Sequence, residues 1–120
     1  MNIPYLIATA EFTATGTSQA MEIPAQAIPS KYSLEVVGVD SADAVAAPTS
    51  WDVLLIPSLS GKVYDEGSKI LEHVNTANNN GGVVFSAGSF YPARFWQIKC
   101  KSLVLGATAT KIKVMVVGIK

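Results

Sequence analysis

The sequence predicts an all-β fold, a single-domain antiparallel β-sandwich or jelly roll of about eight strands spanning residues 1–120. Three observations lead there. Short runs of alternating apolar and polar residues recur along the chain, and clusters of Gly, Pro, Asn and Ser separate them. The last thirty residues hold two long runs of strict period two. A chain of 120 residues suits one domain. A domain of that size buries roughly two-thirds of the surface its unfolded chain exposes, so it needs neither disulfide nor metal to fold.

The elements follow in order. Residues 6–13 read as a first strand, ended by Thr15-Gly16-Thr17, and residues 19–23 as a short second one closed by Pro24 and Pro29. In residues 32–39, Tyr32, Leu34 and Val36 point one way and Ser33, Glu35 and Val37 the other. Residues 40–50 are small, polar and Ala-rich, which reads as a loop. Residues 51–56 form a nearly continuous apolar strand that Pro57 is expected to stop, and residues 58–67 a loop with two glycines. Residues 69–74 fit either a strand or a short helix. Asn78-Asn79-Asn80-Gly81-Gly82 is a turn signal, because Asn and Gly adopt positive φ at little cost. Val83, Val84 and Phe85 form a strand, and residues 87–92 lead onward.

The end of the chain has the clearest pattern. Trp96, Ile98 and Cys100 alternate with Gln97, Lys99 and Lys101; after Gly106-Ala107, Ile112, Val114 and Val116 alternate with Lys111, Lys113 and Met115. Two such strands joined by a short turn are expected to pair as a hairpin with one buried and one wet face. A one-residue slip would put the lysines in the core, so each strand's facing is well specified.

Composition narrows the function classes. Hydrophobic residues make up 49% of the chain and charged residues only 15%, which is low for a soluble domain. Part of that apolar surface must lie outside the core, and cover by another chain is the economical explanation. Nine basic residues balance nine acidic ones, so there is no one-signed field of the kind that binds nucleic acid. Lys99, Lys101, Lys111, Lys113 and Lys120 read as the solvated faces of strands. The N-terminal residues carry neither a basic leader nor a long apolar stretch, and no run has the length of a membrane helix, so neither secretion nor a membrane role is expected.

Candidate chemistry is sparse, and the chain is expected to be no enzyme and to hold no cofactor or metal. His73 is the single histidine, so a Ser-His or Cys-His mechanism would have to use it, with Ser86 or Cys100 as partner. Nothing local positions either one, and Cys100 reads as a buried thiol. Asp40, Asp43, Asp52, Asp65 and Glu66 are scattered in or beside loops, without the ligand spacing of a calcium loop. No glycine-rich phosphate loop is present. Trp51 and Trp96 fall in phase with core positions, whereas Phe90 and Tyr91 precede Pro92 in a loop and suit an exposed contact, a glycan included.

Two families resemble parts of the chain. The first resemblance covers residues 30–120 and rests on the order of several segments: Thr49-Ser50-Trp51-Asp52-Val53-Leu54-Leu55, Ser58-Leu59-Ser60-Gly61, Ile70-Leu71-Glu72-His73, the glycine turn, Pro92-Ala93-Arg94-Phe95-Trp96, and residues 102–110. This order is similar to small accessory virion proteins of tailed bacteriophages. The resemblance implies a β-sandwich decoration or cement protein that stabilises the phage head, or a tail or baseplate accessory. It also implies a homo-oligomer, often a trimer, bound to a major capsid or tail protein and made in the host cytoplasm. The expected contacts are Tyr5 and Leu6 in the N-terminal stretch, Leu59 and Tyr64 in the loop 58–67, and Phe90 and Tyr91. The second resemblance is to PfpI-like, amidotransferase-type α/β proteins. Trp51-Asp52-Val53-Leu54-Leu55-Ile56-Pro57 is similar to their DVLLIPGG strand, and Val84-Phe85-Ser86-Ala87-Gly88-Ser89-Phe90 to their nucleophile turn, with Ser86 where a cysteine belongs. It implies an α/β hydrolase-type enzyme or an inactive fragment of one.

Overall fold

The computed structural model describes residues 4–17, 21–22, 29, 31–76, 79–85 and 93–119. These form nine strands: β1 Pro4–Phe12, β2 Gly16–Thr17, β3 Met21–Glu22, β4 Lys31–Val39, β5 Ser50–Ser58, β6 Leu71–Asn75, β7 Gly81–Phe85, β8 Phe95–Val104 and β9 Lys111–Ile119. A single 3-10 turn, Glu66–Ser68, interrupts them, and no α-helix occurs among the described residues.

Every strand pairing is antiparallel. One sheet runs β1-β9-β4-β7; the other runs β2-β8-β5-β6, with β3 also on β8. β2 and β3 follow each other along β8, opposite Cys100–Lys99 and Trp96–Phe95, and so act as two halves of one broken strand. Counted that way, the chain is one long hairpin folded over on itself. β1 pairs with β9, β2 and β3 with β8, β4 with β7, and β5 with β6, nested around the loop 59–70. Two cross-links, β4–β9 and β5–β8, turn the nested pairs into two sheets. This is the jelly roll.

The core follows from alternation on both sheets. Tyr32, Leu34 and Val36 of β4 and Ile112, Val114 and Val116 of β9 face Trp51, Val53 and Leu55 of β5 and Trp96, Ile98 and Cys100 of β8, all buried in one cluster. The Tyr32 and Trp96 rings meet at 4.5 Å between centroids, tilted by 48°. At the β6–β7 end the sheets approach closely, and Gly82 faces the His73 ring. A Cβ on Gly82 would lie 2.5 Å from His73 Nε2.

Several expectations change in detail. β8 and β9 have the expected lengths and facings but do not pair with each other; they lie in opposite sheets, each between two earlier strands. Periodicity decides which side of a strand is buried, and a partner beside it or a sheet opposite it satisfies the same pattern. Gly81 and Gly82 belong to β7, opposite Val37 and Val36, rather than to the turn before it. Pro57 does not end β5: the pairing of β5 with β6 stops at Leu55, so no ladder partner on that side needs its missing N–H. Residues 71–75 resolve as strand, and residues 15–17 supply β2. The α/β alternative fails at its first landmark, since residues 51–57 form part of a strand antiparallel to both neighbours.

Two irregularities keep the core in phase. β8 carries an extra residue at Lys101, between the pairs Val53–Cys100 and Asp52–Ser102, which restores Leu103 to the core side opposite Trp51. β1 does the same at Ile7, so that Ile7, Ala8 and Ala10 all reach the core while Leu6 stays outside.

The close approach of the sheets gives a direct test. Gly82→Ala is expected to cost about 1–3 kcal/mol by overpacking against His73. A urea titration should show a lower midpoint with unchanged slope. Gly16→Ala, where an added Cβ meets nothing within 4 Å, serves as the near-neutral control.

Candidate interaction surfaces

The loop 59–70 joins β5 to β6, and its 3-10 turn packs back on β5 beside Lys99, which pairs with Leu54; Leu54 and Ile56 are buried although they point away from the core. Its shape is held by short polar contacts. Ser58 Oγ accepts from the Gly61 N–H at 3.0 Å, and Ser60 Oγ from the Lys62 N–H at 3.1 Å. Asp65 Oδ1 accepts from the Gly67 N–H at 3.1 Å, capping the 3-10 turn, and the Ile70 N–H donates to the Leu55 carbonyl at 3.0 Å. Gly61 has φ +75°, and a Cβ there would sit 2.9 Å from Cδ1 of the Phe95 ring. Glu66 then ties the loop to β8 through Lys99 at 2.6 Å and Lys101 at 3.5 Å.

The loop is thus fixed, yet it displays apolar side chains. Leu59 is 84% exposed and Val63 71% exposed. Together with Pro57, Ala93, Asp65 and Ser68 they line an open groove of about 650 Å³. Tyr64 is half-buried, its hydroxyl lacks a partner among the described residues, and burial raises its pKa. The loop's apolar display was legible in Leu59; Val63 was missed, because a lone valine between polar residues carries no periodic signal.

The N-terminal candidates separate. Leu6 is 57% exposed on the outer face of its sheet, whereas Tyr5 is half-buried in the row that holds Gly118 and Tyr32, with its pKa raised by burial. Phe90, Tyr91 and Ser86 lie outside the described residues.

The residues considered for chemistry are occupied structurally. His73 Nδ1 accepts the Trp51 indole N–H at 2.8 Å, and the two ring centroids lie 5.4 Å apart with the planes tilted by 35°. That bond requires the neutral imidazole with its proton on Nε2, and burial lowers the His73 pKa in keeping. Cys100 is buried, its thiol facing the Ser102 carbonyl at 3.4 Å, and burial and the charge of Asp52 push it up to about 11. Trp51 and Trp96 are each 1% exposed and belong to the core. Asp40 accepts from the backbone of Ala42 and Ala44, closing the 40–44 turn. Among the described residues no group of three or more His, Cys, Asp or Glu is placed to hold a metal ion.

The lysines do not form one patch. Lys99 and Lys101 lie on one sheet beside Glu66; Lys111 and Lys113 lie on the other beside Glu11 and Asp43, with Lys113 to Asp43 at 3.3 Å. Each cluster is neutralised locally, which leaves apolar surface as the distinguishing feature of the described exterior.

The fold and these surfaces place the chain among double-sheet jelly rolls. Among solved structures it is similar to the PBSX exported protein XepA, at 9% identity and TM-score 0.58 over 98% of this chain and 36% of that one. It is also similar to a chain in the structure of Triatoma virus, at 8% identity and TM-score 0.52 over 99% of this chain and 64% of that one. The chain therefore spans about a third of the first and under two-thirds of the second, and at these identities the likeness is one of fold. No protein-family model matches the chain, and no curated protein does.

Asp52 gives a pH test. Burial, reinforced by the neighbouring Glu72 carboxyl, pushes it up to about 6, and its buried Oδ1 has no hydrogen-bond partner among the described residues. An acid whose folded pKa exceeds its unfolded value near 3.9 favours folding at low pH and loses that contribution as pH rises through 6. Asp52→Asn should therefore raise the urea midpoint at pH 7.5 and change it little at pH 4. His73 acts in the opposite direction but is common to both proteins, so their difference isolates Asp52.

Proposed function

We propose that this chain is a structural virion protein of a tailed phage, a decoration or cement module that holds neighbouring capsid subunits through protein contacts. The observation that carries the reading is the loop 59–70. Four contacts, Gly61 to Ser58, Ile70 to Leu55, and Glu66 to Lys99 and Lys101, hold it on a jelly-roll sheet and two more brace it internally, yet it presents Leu59 and Val63 to solvent beside an apolar groove. A pre-ordered apolar projection loses little entropy on docking, which suits lasting attachment at a small contact. The shared fold with a chain of the Triatoma virus structure and with the PBSX exported protein supports the choice of class. The order of sequence segments similar to accessory virion proteins supports it independently.

In this reading the protein acts without catalysis, as a homo-oligomer bound to a major capsid or tail protein, and contacts neither nucleic acid nor membrane. Repetition over a lattice multiplies modest single contacts. A contact of about 800 Å² per partner is expected for stable attachment, with Leu59 near its centre.

Co-sedimentation with phage capsids that lack the protein tests this. The wild-type chain is expected to pellet with capsids, and Leu59→Ser/Val63→Ser to lose about tenfold or more in affinity while keeping its circular dichroism spectrum. Failure to bind both capsids and tails would overturn the virion reading.

A further inference from the structure

The outer face of the β1-β9-β4-β7 sheet divides into two unlike halves. One end holds the row Glu11, Lys113 and Val37, where acids and lysines cancel. The other half is centred on a row that crosses all four strands, Leu6–Val117–Ser33–Phe85. On one side of it lies the row Thr9–Met115–Glu35–Val83, and on the other Pro4–Ile119–Lys31. Phe85 is 70% exposed, Leu6 57%, Val83 43% and Met115 39%. The solvent face of an antiparallel sheet is ordinarily polar, so this apolar field needs an occupant.

We infer that a second copy of this chain covers it, stacked face to face with its strands antiparallel. The charges choose both occupant and orientation. On β4, Lys31 and Glu35 stand one outward position to either side of Ser33. A two-fold axis along the central row reverses β4, so Lys31 of each copy meets Glu35 of the other. The same rotation brings Ile119 over Met115 of the second copy and lays Leu6, Val117 and Phe85 over their own counterparts. A parallel stack would place Lys31 on Lys31. The surface is self-complementary in one orientation, as an isologous contact requires.

The size sets the strength. Three rows about 6.8 Å apart on four strands about 4.8 Å apart make a field roughly 20 Å on a side, near the small end of specific interfaces. The dimer is therefore reversible and concentration-dependent. The inference concerns the isolated chain and stands whether or not the virion reading does.

Sedimentation velocity over roughly a hundredfold range of concentration tests it by mass action. The wild type is expected to pass from monomer to dimer. Glu35→Lys should weaken the dimer about tenfold or more, by placing Lys31 against a lysine. The exchanged variant Lys31→Glu/Glu35→Lys should restore it. These positions are solvent-facing, and circular dichroism of each variant verifies the fold. A wild type that stays monomeric would overturn the proposal. So would a dimer indifferent to Glu35→Lys, as pairing along the β7 edge would give, or an exchange that fails to restore association.

Discussion

The structure depends on the placement of β8 and β9 as inner strands of opposite sheets. Among the described residues β1 has no sheet partner except β9, and β2 and β3 have none except β8. Without these two strands only the β4–β7 and β5–β6 pairs remain, and an isolated pair of strands is marginal in water. The inward rows Trp96–Ile98–Cys100 and Ile112–Val114–Val116 are also the middle of the core. One stretch of about twenty-five residues thus supplies both the hydrogen-bonded centre of each sheet and the contact between sheets. The cost is long-range closure: Phe12 must find Ile112, a separation that slows folding relative to local pairing.

The nesting that closes the sheets also decides where recognition surface is available. The loop 59–70 is the bend of the folded-over hairpin, and it stays ordered because Glu66 reaches the outward lysines of β8. Lysines read from sequence as mere solvation thus hold a loop in place on one sheet and cancel acids on the other. With these lysine clusters paired off, Leu59 and Val63 on one sheet and Phe85 and Leu6 on the other are among the apolar side chains that the described exterior offers a partner. The two surfaces lie on opposite sheets, so a dimer formed through one leaves the other free to hold something else.

Alternation made much of this fold legible. The strands β4, β5, β8 and β9, their buried sides and the jelly-roll class all follow from period two and the turn residues around them. What alternation cannot express is the partner of a strand. Two amphipathic strands in sequence satisfy the same pattern as a hairpin or as facing layers, and the six residues 105–110 are long enough for the crossing. Pro57 and Gly82 mislead for a related reason: their meaning depends on where β6 ends and how near His73 comes, both set by tertiary structure. Of the candidate contacts, Leu6 and Leu59 are solvent-facing, whereas Tyr5 is half-buried because the bulge at Ile7 shifts the phase of β1, a shift that alternation alone does not reveal.

The placement of β8 and β9 is open to one decisive measurement, the cross-strand backbone NOE pattern of the labelled protein. The account predicts NOEs joining β9 to both β1 and β4, at Val114 with Ala10 and Val36, and joining β8 to β5 at Ile98 with Leu55. Backbone NOEs running directly between β8 and β9, as in a terminal hairpin, would contradict it.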